Sequence, residues 1–223
     1  MKKPIFEIKN LNYTKNDSTL LNIKKFEIHR GACYVFNGNM ASGKTLLLDI
    51  LTKNNKKYNG DILYENESIK QIPFSNYIKE IAYVKQSIKA PYFQNVETYI
   101  KGILKRSYKN DGVDKQYNDI LKTMDFKYMA NVKMRDLTPG QLRWVDLASN
   151  IALFPKVLFI DELELHLSMS KIKNLVKILY RKVNYEGVTI IATTQNKEFF
   201  SNLISVSINI NNGRITSVRS KRK

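Results

Sequence analysis

Cysteine is almost absent from these 223 residues. The single Cys33 precludes an intramolecular disulfide, and its place in the apolar run Ala32-Cys33-Tyr34-Val35-Phe36 reads as a buried structural thiol rather than a redox centre. Long apolar runs are missing as well. Stretches such as IALFPKVLFI fall well short of the roughly 20 residues that span a bilayer, so this chain is not expected to cross a membrane by itself. The opening MKKPIFEIKNLNY is basic but lacks the apolar segment of a secretory signal, which sets the expectation of a cytoplasmic protein. Glycine and proline are sparse, at 9 and 5, and no repeat or low-complexity tract occurs, which excludes solenoids and argues against extended disorder.

Acidic residues are outnumbered, 20 against 37 Lys and Arg, for a formal charge of +17. Clustered cations would point to nucleic acid or an acidic membrane. Here most are lysines spread along the chain, so nucleic acid is not the expected partner. The one basic cluster is the tail Arg219, Lys221, Arg222 and Lys223, either a contact for anionic lipid or nucleic acid or a solvated terminus.

The length favours one domain over residues 1–223. Apolar alternation predicts strands over 5–11 and 23–28, a buried strand at 33–36, a helix after Thr45 and another strand at 60–64. From 87 to 135 the texture changes to Tyr- and Lys-rich segments with helical spacing, such as Ile100, Ile103, Leu104 and Ile120, Leu121, Met124. This predicts a small helical lobe inserted in the core. A helix over 140–153, a strand at 157–160, a helix carrying Ile172, Leu175, Val176, Leu179 and Val183 on one face, and a strand at 188–193 follow. The end reads as a hairpin turning at Asn212-Gly213. The sum is an α/β fold, a mostly parallel sheet flanked by helices with an antiparallel β portion.

Gly38-Asn39-Met40-Ala41-Ser42-Gly43-Lys44-Thr45 satisfies G-x-x-x-x-G-K-[ST] between an apolar strand and a helix, the context that gives this motif its meaning. Backbone N–H groups of Gly38, Asn39, Ala41, Ser42, Gly43 and Leu46 can face phosphates, and Lys44 reaches the β and γ phosphates. Thr45 offers its hydroxyl to Mg²⁺. Val157-Leu158-Phe159-Ile160-Asp161-Glu162 ends an apolar strand in two carboxylates. Asp161 suits the Mg²⁺ shell, and Glu162, just beyond the strand, suits a general base for an attacking water. ATP and Mg²⁺ are the cofactors these residues imply, on an α/β fold of the P-loop NTPase type.

With these motifs and those between them, the chain resembles the ATP-binding subunits of ABC transporters along nearly its whole length, most closely compact subunits of the FtsE, lipoprotein-release or haem-exporter kind. Leu137-Thr138-Pro139-Gly140-Gln141 stands where that family carries its LSGGQ signature, and Gln86 stands at the Q-loop glutamine. The resemblance makes Gln86 a catalytic and Mg²⁺-site residue that also joins the membrane-subunit contact. Tyr13 matches the aromatic that stacks on adenine, with a plain core or surface tyrosine as the alternative. It further implies a dimer in which Thr138, Gly140 and Gln141 reach the nucleotide of a second ATP-binding subunit, and a transmembrane subunit contacted through the lobe at 87–135. The protein would then lie peripherally on the cytoplasmic face.

Departures accompany the matches. The family's switch histidine falls in Ala192-Thr193-Thr194-Gln195-Asn196, where Thr194 is the expected occupant, and neither histidine of the chain, His29 in a surface turn or His166, takes that place. Leu163 and Ser168 replace a proline and an aspartate after the catalytic glutamate, Pro139 replaces a signature glycine and its N–H, and Met40 and Ala41 are unusual in the phosphate loop. Two functions stay open: an ATPase driving a membrane protein, with slow or asymmetric turnover, or a nucleotide-gated regulatory or scaffold subunit. A soluble ATPase acting on nucleic acid or in iron–sulfur assembly rests on charge and fold analogy alone.

Overall fold

The computed structural model describes residues 3–221, so Arg222 and Lys223 of the basic tail lie outside the described residues. In chain order the elements are β1 (Phe6–Lys15), β2 (Ser18–Ile28), β3 (Cys33–Asn37), α1 (Lys44–Leu51), β4 (Asn59–Tyr64), β5 (Glu67–Ser68), α2 (Phe74–Glu80) and β6 (Ile81–Val84). Then come α3 (Val96–Leu104), α4 (Asn110–Met124), α5 (Pro139–Ile151), β7 (Val157–Ile160), α6 (Met169–Asn184), β8 (Thr189–Thr193), β9 (Val206–Asn211) and β10 (Arg214–Ser220). Among the described residues no helix is long and apolar enough to cross a membrane.

Two sheets result. β2-β1-β4-β5 is antiparallel. The other runs β10-β9-β3-β8-β7-β6, parallel except for the edge strand β10. Side-chain alternation along the parallel strands divides the interior into two cores. Cys33 and Val35, Leu158 and Ile160, and Ile190 and Ala192 face one core with α5, α6 and the helical lobe. Tyr34 and Phe36, Val157 and Phe159, and Ile191 face the other, shared with α1 and the antiparallel sheet. These strands are buried on both faces, which is why they read as continuous apolar runs. Cys33 lies fully inside, and burial pushes its thiol well above the ordinary range.

The lobe is smaller in helix content than its texture predicts. Residues 85–95 stay non-helical because Pro91 interrupts them, and α3 begins only where Asn95 accepts a hydrogen bond from the Thr98 N–H at 2.8 Å. In α6 the buried face is Ile172, Leu175, Ile178, Leu179 and Val183, with Val176 at its margin. The terminal hairpin turns at Asn212 and Gly213, both with positive φ (46° and 71°), the geometry that a two-residue turn with right-handed strand twist needs. Arg219 belongs to β10, and Lys221 is tied by its N–H to the Ser205 carbonyl, so this part of the tail is not frayed.

The registers Phe36↔Thr193, Ile160↔Ala192 and Val84↔Ile160 bring the carboxyl ends of β3, β8, β7 and β6 to one edge. From that edge leave the loops bearing residues 38–43, 194–196, 161–168 and 85–95. Ligands of open parallel sheets bind outside such ends.

Candidate functional site

β3 delivers the chain to Gly38, whose φ of 147° and close approach leave no room for a side chain: a Cβ there would lie 2.1 Å from the Ile210 carbonyl oxygen. The loop is also held from outside. Gly213 in the hairpin turn donates its N–H to the Ser42 carbonyl at 3.0 Å, and a Cβ on Gly43 would meet Leu21 at 2.8 Å. The Lys44 ammonium donates to the carbonyls of Gly38 and Asn39, both at 2.8 Å, and to Ser42 Oγ at 3.2 Å, so it sits inside the loop. Burial pulls its pKa down, while Glu162, Asp161 and Glu164 push the other way, which places three carboxylates within its field. Thr45 is exposed at the start of α1, beside the N–H groups that no helix satisfies internally. Leu46 packs its side chain toward the second core, leaving only its backbone N–H for a phosphate. Met40 is 84% exposed, and Ala41 holds a left-handed φ of 59°.

At the tip of β7, Asp161 is fully buried. Its Oδ1 accepts the Thr193 hydroxyl at 2.5 Å, and Thr193 Oγ1 accepts the Glu162 N–H at 2.7 Å. Asp161 Oδ2 is buried with no partner at all. Glu162 turns the chain at φ 50°, a strained conformation of the sort found at functional positions. Its side chain lies between two carboxamides: Gln86 Nε2 donates to Oε2 at 3.1 Å and Gln195 Nε2 to Oε1 at 2.9 Å. Beneath it the buried guanidinium of Arg143, from α5, donates to the carbonyls of Asp161, Glu162 and Lys85 at 2.6, 2.9 and 2.5 Å. One cation thus ties together the ends of β6 and β7, and burial lowers its pKa against the pull of Asp146, Asp161 and Glu162.

The expectation that Thr194 occupies the switch position is corrected by this geometry. Thr194 is the last inward residue after β8: it is fully buried and gives its hydroxyl to Glu164 Oε2 at 2.7 Å. Gln195 is the residue that points at Glu162. Neither Gln195 nor Arg143 nor Glu164 stood out in the sequence. A long amide directly after a strand end, and an arginine in an otherwise buried helix, were the available signals.

Thr138 caps α5, accepting the Gln141 N–H at 3.3 Å while its own N–H donates to Gln141 Oε1 at 2.9 Å, a reciprocal capping box. Pro139 then occupies the first helical position, where its missing N–H costs the helix nothing. Gly140 approaches the His166 carbonyl so closely that a Cβ would lie 2.7 Å away, joining the signature turn to the loop after β7. Ser168 caps α6. His166 and His29 are exposed and make no hydrogen bond to Glu162. Tyr13 is half-buried opposite Leu21, the residue that touches Gly43, so it lies one strand away from the phosphate loop.

The donor set fits the expected cofactors. A glycine loop closed to side chains, an ammonium within it and a helix N-terminus form a phosphate cradle. The bare Asp161 Oδ2, with the Thr45 hydroxyl and the Gln86 carboxamide, offers hard oxygen donors. Among the described residues no three His, Cys, Asp or Glu gather as a metal cage. Mg²⁺ needs none, since it is held by one or two carboxylates plus water and substrate phosphates.

A protein-family model described as ABC transporter matches residues 21–164. A putative ABC transporter ATP-binding protein of Clostridium tetani is 26% identical over 204 residues, 89% of this chain but 45% of that protein, so the chain spans less than half of that relative's length. The energy-coupling factor transporter ATP-binding protein EcfA1 of Staphylococcus aureus is 25% identical over 86% of this chain and 72% of its own. Among solved structures, the dimeric post-hydrolysis state of the ATP-binding cassette MJ0796 bound to ADP and Pi superposes with a TM-score of 0.87, covering 98% of this chain and 99% of that one at 19% identity.

Proposed function

The chain belongs to the ABC transporter family, and from that premise we propose that it binds Mg-ATP on residues 38–46 and hydrolyses it as the ATP-binding subunit of a membrane complex. Its place is the cytoplasmic face of the membrane, paired with a second ATP-binding subunit and coupled to a transmembrane protein through the lobe at 87–135. The observation that carries hydrolysis is the carboxylate pair after β7: Asp161 with a bare buried oxygen, and Glu162 held between Gln86 and Gln195.

Mg²⁺, held by Asp161, Thr45 and Gln86, would supply charge neutralisation to the nucleotide's phosphates. Lys44 and the loop N–H groups bind and orient those phosphates. Thr193 fixes Asp161 by one oxygen and leaves the other for the cation. Glu162 accepts the proton of the attacking water on a carboxylate oxygen, and the two carboxamides, one on each oxygen, hold the carboxylate in place. Tyr13 stacks on the base, and Thr138, Gly140 and Gln141 serve the partner's nucleotide.

Steady-state ATPase of the purified chain, wild type against Glu162→Gln, tests the reading. Loss of the base is expected to lower kcat about 10²- to 10⁴-fold with ATP affinity retained. Equal turnover in the two proteins would remove Glu162 from the mechanism. A nucleotide-gated regulatory subunit is favoured by one feature, the uncharged carboxamide of Gln195 at a position where an imidazole could carry charge. Tight ATP binding without turnover in either protein would decide for it.

A further inference from the structure

We propose that Glu164 is a positioning residue that seats Gln195 against Glu162, an inference that rests on the hydrolysis reading for its catalytic consequence but not for its geometry. Glu164 lies two residues past Glu162, in a turn closed by the Leu163 N–H to the Thr193 carbonyl and by the Leu165 N–H to the Glu162 carbonyl. From there its carboxylate reaches across to the loop after β8. Oε2 accepts the Thr194 hydroxyl at 2.7 Å, and Oε1 accepts the backbone N–H groups of Gln195 at 2.7 Å and Asn196 at 3.2 Å. Thr194 Oγ1 in turn accepts the Asn196 N–H at 3.0 Å, and Asn196 Oδ1 accepts the Glu198 N–H at 3.3 Å. The three residues that follow β8 are therefore fixed by one side chain.

A carboxylate of this length meets the requirement with both oxygens: one accepts two successive N–H groups and the other accepts the Thr194 hydroxyl, in charge-assisted bonds. A carboxamide at 164 keeps one oxygen for the N–H groups and can donate its NH₂ to Thr194 Oγ1, but without the charge that strengthens these bonds, and a serine or threonine would stop short. The benefit falls on Gln195. A glutamine is flexible and uncharged, so its side chain holds Glu162 well only if its own backbone is immobile. Glu164 supplies that immobility, and the contact at Glu162 Oε1 is its result.

Amide hydrogen exchange and ATPase kinetics of the full chain test this together. In wild type the Gln195 and Asn196 amides are expected to be protected, and in Glu164→Gln and Glu164→Ala they exchange faster. Glu164→Ala should lower kcat about tenfold with KM changed less than about twofold, the signature of a misplaced group rather than lost binding. In a Gln195→Ala background the same substitution should add nothing, because both act through one contact. Glu164→Gln keeps the shape and guards against simple misfolding. Equal exchange in wild type and Glu164→Ala, or kcat losses that multiply in the double variant, would overturn the assignment. If wild type shows no turnover, the hydrolysis reading falls, whereas the exchange contrast still decides the latch.

Discussion

Gln195 meets Glu162 with a group that has no protons to gain near neutrality, and Gln86 on the other oxygen is the same kind of group. Histidine titrates near pH 6.5, so a site without one has no charge switch between pH 6 and 8. The ATPase of wild type is therefore expected to show a flat kcat across that range, whereas Gln195→His introduces a limb near pH 6.5. A limb already present in wild type would point to another titrating group in the step. The site was half legible at this scale. Residues 38–45, Asp161 and Glu162 could be named because phosphate and metal chemistry restrict the residue types allowed at fixed spacing, and Gln86 only through the family resemblance. The sequence reading puts Thr194 rather than Gln195 at the switch position, an error of one residue that matters because neighbouring residues at a strand end face opposite ways and a shift of one exchanges burial for access. Only the register Phe36↔Thr193 decides it.

α5 is the element on which lobe and site converge. From Arg143 to Ile151 every residue is buried, and within one turn it places a cation under Glu162 and an acid toward the lobe. Asp146 accepts a hydrogen bond from Asn150 Nδ2 at 3.0 Å, with Tyr99 of α3 close by. Burial nonetheless pushes its carboxyl from 3.8 up to about 6, against the lowering effect of Arg143, Tyr99 and Asn150. The sign follows from linkage: a pKa raised on folding contributes stability that is whole below about pH 4 and is lost as pH rises to about 6. Near two units at about 1.4 kcal/mol each set an upper bound of about 3 kcal/mol. Asp146→Asn is thus expected to match wild type near pH 4 and to gain over it in denaturant melts by pH 6.5, with a constant gap above that. A gap independent of pH would mean that the carboxyl is solvated. An acid in an apolar stretch of sequence looks like a surface residue, and its burial could not be read without knowing that α3 packs on that face. α2 was missed for a related reason: of its seven residues only Tyr77 is buried, which leaves no periodic stripe to detect.

The whole molecule is organised by its parallel sheet, whose two faces nucleate separate cores. The lobe has no core of its own: Val96, Ile100, Leu104, Val113 and Tyr117 pack in the same cluster as Val84, Leu158, Ile160 and Leu179. Undocking the lobe would strip one face of the sheet, at about 25 cal/mol per Å² of apolar surface returned to water. Lobe and sheet should therefore unfold as one cooperative unit. The chain carries one tryptophan to report on this, and its place is apt. Trp144 of α5 is buried within that shared cluster, and its indole N–H donates to the Met124 carbonyl at the end of α4 at 2.8 Å. Its fluorescence follows the seam between lobe and core, while far-ultraviolet circular dichroism follows all helices and strands. In urea the two signals are expected to trace one transition with a common midpoint, the test of two-state behaviour. A fluorescence change completed at lower urea than the dichroism would show that the lobe leaves first. Coincident curves would show that lobe and sheet share one cooperative unit, as their common cluster of buried side chains requires.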